Sequence, residues 1–420
     1  MVITKYGRIK TTTINRSTTT QPRPRKETVK NTRRHVTSRC RSMKVIVLGC
    51  GKIGSVIAKD FAASVEGARV TVADISEERA RESAAEIKGA GWTTIDTTDH
   101  PALAETLGGF DLVLGALPGD YGYKALEASV AAGVDIVDVS FTAEDPLDLD
   151  AAAKEAGVTV IPDCGVAPGL SNILVGYSAS RLDRVREVHI MVGGIPETPV
   201  PPLGYTITWS AEGLIDEYVR DVSIIEGGRT VEVPALSGLE EIEFPGVGTL
   251  EAFYTDGLRS LAKSLPDVEN MWEKTLRYPG HVEKVRLLRE LGFFDDEPVT
   301  VGGEPVSPRL VTARLLERSL WKPEIGDLLA MKIEVRGDAG GKEAGFSHRI
   351  LDRFDPDTGV SAMARTTAYT ASIVAGMLAR GTIKEKGVLP PERLGKDPEF
   401  VETLMAELNR RGVLIEESRV

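Results

Sequence analysis

The chain has 420 residues, of which 42% are hydrophobic and 27% charged, an ordinary globular composition long enough for about two or three domains. The formal charge of −11 is unevenly placed: residues 1–42 carry +11 and the remainder −22, so the body repels nucleic acid and anionic membranes. No apolar run reaches the ~20 residues that span a bilayer.

The three cysteines, Cys40, Cys50 and Cys164, are widely spaced. They form neither a disulfide framework nor a paired metal site, which fits a reducing cytoplasm. His35, His100, His189, His281 and His348 lie outside helical reach of one another, so no metal is expected.

Residues 1–42 include TTTINRSTTTQPRPRKETVKNTRRHV. This stretch has almost no large hydrophobe to offset the entropy of ordering, so disorder is expected. A basic Thr-rich arm suits RNA binding or a transit-like role. The reading adopted is that the folded protein starts at Met43, just before a strand pattern.

From Met43 the signal is sharp. Val45–Leu48 is a continuous apolar run, as in a strand buried on both faces. Gly49-x-Gly51-x-x-Gly54 follows at once, and Ile53, Val56, Ile57 and Phe61 then recur at helical spacing. Next comes ARVTVAD, ending at Asp74, twenty positions after Gly54. In that context Gly49 permits the tight turn, Gly51 the approach of a pyrophosphate, and Gly54 the packing of helix on strand. The helix N-terminus, with Lys52 and Ile53, faces the phosphates. Asp74 would accept the ribose hydroxyls and repel a 2′-phosphate, which predicts NAD rather than NADP. Cys50 is only the variable residue inside the turn.

GFDLVLGALPG, GVDIVDVS and GVTVIPDCGVAPG continue the pattern, separated by helical stretches. Six strands alternating with helices predict an α/β, Rossmann-type doubly wound parallel sheet. Ligands bind such sheets at the carboxyl ends of the strands. That places Leu117, Pro118, Asp138 and Asp163 at the cofactor edge. Beyond about residue 166 the pattern changes. VREVHIMVGGIP, LLAMKIEVRG and KEAGFSHRILDRFD alternate as antiparallel strands do, among helical pieces such as SAEGLIDEYV and HVEKVRLLRELG. This predicts a second α+β domain.

PDCGVAPGLSNIL, VGGIPETPVPPLGYTITWSAEGLIDEY, GTLEAFYTDGLRSL and KTLRYPGHVEK resemble the saccharopine dehydrogenase (saccharopine reductase) family. Within it, residues 160–285 and VSAMARTTAYTASIVAGMLARGTI look most like the lysine 6-dehydrogenases. The resemblance covers residues 43–420. It implies NAD-dependent oxidative deamination of the ε-amino group of L-lysine to 2-aminoadipate 6-semialdehyde, which cyclises, with release of ammonia. It also implies a homodimer built through the second domain, and a segment from about residue 360 that returns to the nucleotide domain. The domains expected are thus 43–165, 166–359 and 360–420. Rival substrates are saccharopine and carboxyalkyl polyamines. A rival of another class is a non-catalytic NAD-binding sensor.

The substrate ammonium must lose a proton before hydride leaves its carbon, so a base near neutrality is needed. His281, in RYPGH, is the first candidate; its alternative is a structural histidine at the start of the next helix. Asp163, raised by burial, is the other candidate base. A carboxylate calls for a bidentate guanidinium, for which Arg277 in TLRYPG is the first choice and Arg259 the second. Asp138 and Asp163 suit the α-ammonium. Tyr205, Thr208 and Trp209 would line the pocket. His100 and His189 are read as structural.

Overall fold

The computed structural model describes residues 42–208 and 210–420. The expectations for the basic tail up to Arg41, and for Trp209, fall outside the described residues.

The first lobe runs β1 (Lys44–Leu48), α1 (Lys52–Ser64), β2 (Arg69–Asp74), α2 (Glu77–Ala85), β3 (Gly91–Thr94), α3 (His100–Leu107), β4 (Leu112–Gly115), α4 (Gly119–Ala132), β5 (Asp135–Asp138), α5 (Asp150–Ala156) and β6 (Thr159–Ile161). The second continues with α6 (Leu170–Ala179), β7 (Arg184–Pro196), α7 (Ala211–Val219), β8 (Val222–Glu226), β9 (Arg229–Val233), β10 (Glu240–Phe244), β11 (Gly248–Tyr254), α8 (Leu261–Ser264) and β12 (Asn270–Arg277). Then come α9 (His281–Glu290), β13 (Val299–Val301), β14 (Glu304–Val306), α10 (Pro308–Leu320), β15 (Asp327–Ala339) and β16 (Lys342–Arg353). The chain ends with α11 (Ala362–Ala379), β17 (Gly387–Val388), α12 (Pro391–Leu394), α13 (Pro398–Arg410) and β18 (Glu416–Arg419).

The first sheet has the order β17-β6-β5-β4-β1-β2-β3, and every pairing in it is parallel. It is a doubly wound Rossmann-type sheet, as expected, with seven strands where six were expected: beyond the five stretches quoted above it holds β3 and, from the far end of the chain, β17. In β1, Val45 and Val47 join one core while Ile46 and Leu48 join the other. That is the period-two alternation of a strand covered on both faces.

The second sheet is mixed, ordered β10-β11-β12-β7-β15-β16-β18, with β8 and β9 attached through β12. Within it β12 runs parallel to β7 and the other pairs are antiparallel. Its outer face, with Leu250, Leu276 and Leu328, packs beneath α9 and α10 in a separate core to which α7 also contributes. Its inner face, with Ile190, Val192, Met331 and Ile333, shares one continuous core with β1, α6 and α11. Helices α6 and α11 therefore lie between the two sheets.

The C-terminal segment touches both lobes. Helix α11 packs on α1 and β15, β17 pairs with β6, and β18 pairs with β16. Helix α6 meets α12 at a close approach: a Cβ on Gly176 would stand 2.1 Å from the Glu392 carbonyl oxygen. A Cβ on Gly108, in contrast, meets nothing nearer than 3.5 Å. We expect Gly176→Ala to cost about 1–3 kcal/mol by overpacking and Gly108→Ala to be near neutral. Denaturant midpoints at constant m-value measure both.

Candidate active site

The Gly-rich turn is built as its spacing predicts. Gly49 has φ +93°, and a Cβ there would lie 2.4 Å from the Ala116 carbonyl oxygen. A Cβ on Gly54 would lie 1.9 Å from the Gly49 carbonyl oxygen, so strand and helix meet backbone to backbone. A Cβ on Gly51 would meet nothing within 4 Å. The free N–H groups at the start of α1 thus face open space that a side chain would obstruct, and this fits a nucleotide pyrophosphate. Leu117 lies against Gly49, Ile53 packs on the first core, and Pro118 caps α4. Lys52 reaches to the end of α10, its Nζ 3.3 Å from the centre of the Trp321 ring.

Asp74 ends β2, yet its carboxylate is already engaged. One oxygen accepts the Cys50 N–H at 2.9 Å; the other accepts the Ser76 N–H at 2.9 Å and Arg79 Nη2 at 2.8 Å. Burial works against its ionisation, but these donors outweigh it and hold the carboxyl below its usual range. Sequence reasoning had assigned no role to Arg79.

At the neighbouring strand ends stand Asp138 and Asp163. Asp138 is fully buried and accepts the Ser140 N–H at 2.8 Å and its hydroxyl at 3.1 Å. Burial, opposed by Ser140 and aided by the nearby Asp163 charge, lifts its carboxyl to about 7. Asp163 takes a positive φ of 51°, as does Arg259, at 52°. The two meet across the lobes: Arg259 Nε is 3.1 Å and Nη2 3.4 Å from the two carboxylate oxygens. The guanidinium also touches Thr142 Oγ1 at 3.4 Å and lies over the Phe141 ring. Burial pushes Asp163 up and Arg259 opposes it. Arg259, the second choice from sequence, is thus the arginine in contact with the strand-end acids.

Arg277, the first choice, is buried and paired with Glu217 at 2.8 Å. Its plane lies over Tyr205, with the guanidinium carbon 4.5 Å from the ring centre. Its Nε has no hydrogen-bond partner among the described residues. Thr208 Oγ1 is likewise buried without one.

His281 is not poised as a base. It opens α9 and is 1% exposed. Its Nδ1 donates to the Leu203 carbonyl at 2.9 Å, so Nε2 accepts the Tyr218 hydroxyl at 2.8 Å. Burial and then Arg277 drive its pKa down to about 3, which keeps the ring neutral. The structural reading of this histidine is the one the geometry supports. His189 stacks on Trp272 at 4.3 Å, and His100 opens α3. The Cys164 thiol is buried between the strand-end acids, and burial raises it far above its usual range; Cys50 is raised to about 11. Neither is a ready nucleophile.

Sequence reasoning missed three buried or half-buried acids at this cleft: Glu217, Asp256 and Glu273. Burial raises all three. For Glu273 the trace in sequence is a polar run, Glu273-Lys274-Thr275, in a strand that also holds the buried Met271 and Leu276.

Because the Gly51 position is open, Gly51→Ala should leave stability within about 1 kcal/mol. It should weaken nicotinamide-dinucleotide binding by about tenfold or more. Calorimetric titration with NAD and NADP, beside a thermal melt, checks both halves.

Comparison with known proteins agrees with this geometry. The family model for the saccharopine dehydrogenase NADP binding domain matches residues 45–161, and that for the saccharopine dehydrogenase C-terminal domain matches residues 165–413. The chain is 23% identical to the saccharopine dehydrogenase [NADP(+), L-glutamate-forming] of Saccharomyces cerevisiae, over 90% of this chain and 99% of that protein. It is 25% identical to the Pyricularia oryzae protein of the same name, over 60% of this chain and 59% of that protein. It is 23% identical to the carboxyaminopropylagmatine dehydrogenase of Synechocystis, over 88% of this chain and 96% of that protein. An apo saccharopine dehydrogenase (L-Glu forming) structure from Saccharomyces cerevisiae superposes with a TM-score of 0.75 at 20% identity, covering 90% of this chain and all of that one. The open Gly-rich turn, the strand-end acids and the two matched domains together make this chain a member of the saccharopine dehydrogenase family, an oxidoreductase with a nicotinamide-dinucleotide-binding Rossmann lobe.

Proposed function

We propose that the protein oxidatively deaminates the ε-amino group of L-lysine with NAD, forming 2-aminoadipate 6-semialdehyde, which cyclises, and ammonia. The observation that carries this reading is the charge inventory of the cleft. Asp138, Asp163, Glu217, Asp256 and Glu273 stand among three arginines, Arg220, Arg259 and Arg277, and each arginine is already paired with an acid. Lysine, with two ammonium groups and one carboxylate, suits that surplus of acid. Saccharopine, with three carboxylates, would need guanidinium groups that this cleft does not spare.

A bound nicotinamide dinucleotide supplies the acceptor for the hydride that leaves the ε-carbon. The chain's own groups handle the protons. The Asp138–Asp163 pair, with Asp138 near 7, takes the ammonium proton before hydride leaves and then activates the water that hydrolyses the substrate iminium. Arg277 Nε and the Thr208 hydroxyl, which have no hydrogen-bond partner among the described residues, are donors for the substrate carboxylate.

Two observations favour second readings. A carboxylated polyamine, the kind of substrate named for the Synechocystis relative, is also rich in cations. Arg79, 57% exposed beside Asp74, is a ready partner for a 2′-phosphate, which favours NADP. We expect reduced nicotinamide to accumulate at alkaline pH with L-lysine and NAD. Little should form with saccharopine, with a carboxylated polyamine, or with NADP at equal concentration. Faster turnover in any of those wells moves the assignment to that substrate or coenzyme.

We further propose a homodimer in the cytoplasm. Among the described residues no helix is long and apolar enough to cross a membrane, and Cys50 and Cys164 are free thiols. On α10 of the second lobe, Leu310, Val311 and Leu315 are 63%, 45% and 49% exposed. A second copy, presenting the same patch about a twofold axis, would cover them. Sedimentation should give a dimer, and Leu315→Asp should shift it toward monomer with the Rossmann lobe still binding coenzyme.

A further inference from the structure

The inner face of the second sheet is apolar along β7 and β15. On β12 that same face turns polar after Met271. The register pairs Glu273 with Ile190 and Thr275 with Val192, so Glu273, Thr275 and Arg277 continue the apolar face as a row pointing the same way. All three are buried, at 4%, 4% and 3% exposure. Two members of the row are partnered: Thr275 shares a hydrogen bond with Thr255 at 2.9 Å, and Arg277 is paired with Glu217.

Glu273 differs. Its Oε2 is buried with no hydrogen-bond partner among the described residues. Its carboxyl lies flat against Gly257, where an added Cβ would stand 1.8 Å from Oε1 and 2.5 Å from Oε2. Gly257 belongs to the loop between Asp256 and Arg259, the loop that clasps Asp163. The charged groups bearing on Glu273 are Asp256 and Glu217, both acids, and burial with these neighbours lifts its carboxyl to about 8. A buried carboxylate oxygen that meets no donor among the described residues is costly in the free protein. Gly257 leaves room for this carboxyl on the loop whose Arg259 reaches Asp163, and the unmet Oε2 marks the place where a partner arrives.

We propose that Glu273 is the anchor for the substrate's non-reacting ammonium group, the α-ammonium of a diamino acid. This rests on the amine-oxidising reading of the same cleft. A cation docking there leaves the carboxylate ionised, so binding near neutral pH releases the proton that Glu273 holds in the free protein.

The test compares wild type with Glu273→Gln, which keeps shape and removes charge. Its substrates are L-lysine and 6-aminohexanoate, which lacks the α-amino group. Wild type should prefer lysine in kcat/KM by about 50-fold or more, and the variant by less than about 5-fold. That change should come from lysine's KM, with turnover of 6-aminohexanoate and NAD affinity kept. A preference in the variant within about 3-fold of wild type overturns the proposal. A merely structural role would slow both substrates alike, which also overturns it.

Should wild type oxidise a carboxylated polyamine and not lysine, the lysine reading fails while Glu273 is still decided by proton count. That polyamine is titrated into the NADH complex at pH 6.5 in two buffers of different ionisation enthalpy. Release of about one proton per molecule in wild type and none in the variant supports the anchor. Equal release in both sinks it.

Discussion

The contact between Asp163 and Arg259 sets the geometry on which the site depends. Each residue takes a left-handed backbone conformation, at φ 51° and 52°; such a residue costs of order 1–3 kcal/mol unless its surroundings impose it. Their side chains are 4% and 10% exposed, so each charge needs the other: an uncompensated buried partner costs about 3–5 kcal/mol. Asp163 closes a strand end of the nucleotide lobe, while Arg259 belongs to the loop that leaves β11 of the second lobe. The ion pair therefore fixes where the second sheet presents its polar row relative to the strand ends of the first.

That clasp works only because the floor beneath it is rigid. Helices α6 and α11 share one core with both sheets. The C-terminal segment then ties the lobes by polar contacts as well as burial. Arg411 holds Asp60 of α1 at 2.8 Å, and Arg365 holds Asp352 of β16 at 3.0 Å. Each is a charge-assisted bond in a partly buried setting, stronger than a surface pair. The site is thus a seam between two sheets whose relative placement is set by helices packed between them.

Within the seam, burial is the dominant electrostatic influence. It raises Asp138, Asp163, Glu217, Asp256 and Glu273 and lowers His281. Asp138 consequently moves into the neutral range that histidine ordinarily occupies, and His281 leaves it. In such an acid-rich seam a bound cation would restore the ionised form of the acid that meets it.

The sequence alone determined the features that arise from local period and local backbone freedom. The run Val45–Leu48 followed by Gly49, Gly51 and Gly54 specifies a strand, a turn and a helix start within about a dozen residues. Asp74 follows from the length of that unit, and β7, β15 and β16 follow from alternation. The placing of Asp163 and Asp138 at strand ends also needed no long-range information. Strands β3 and β17 escaped, the first because its residues are mostly exposed and the second because two residues carry no period. Only the tertiary structure decided which charged groups meet. Arg259 and Asp163 are 96 positions apart and Arg277 and Glu217 are 60, and no local pattern encodes such pairings. The same holds for Glu273, which in isolation reads as a polar residue on a half-exposed strand. It became a buried acid because β12 pairs with β7 and its inner face turns toward the other lobe. His281 shows the converse: its motif marked it for chemistry, and the packing of Tyr218 and the Leu203 carbonyl against both ring nitrogens made it structural.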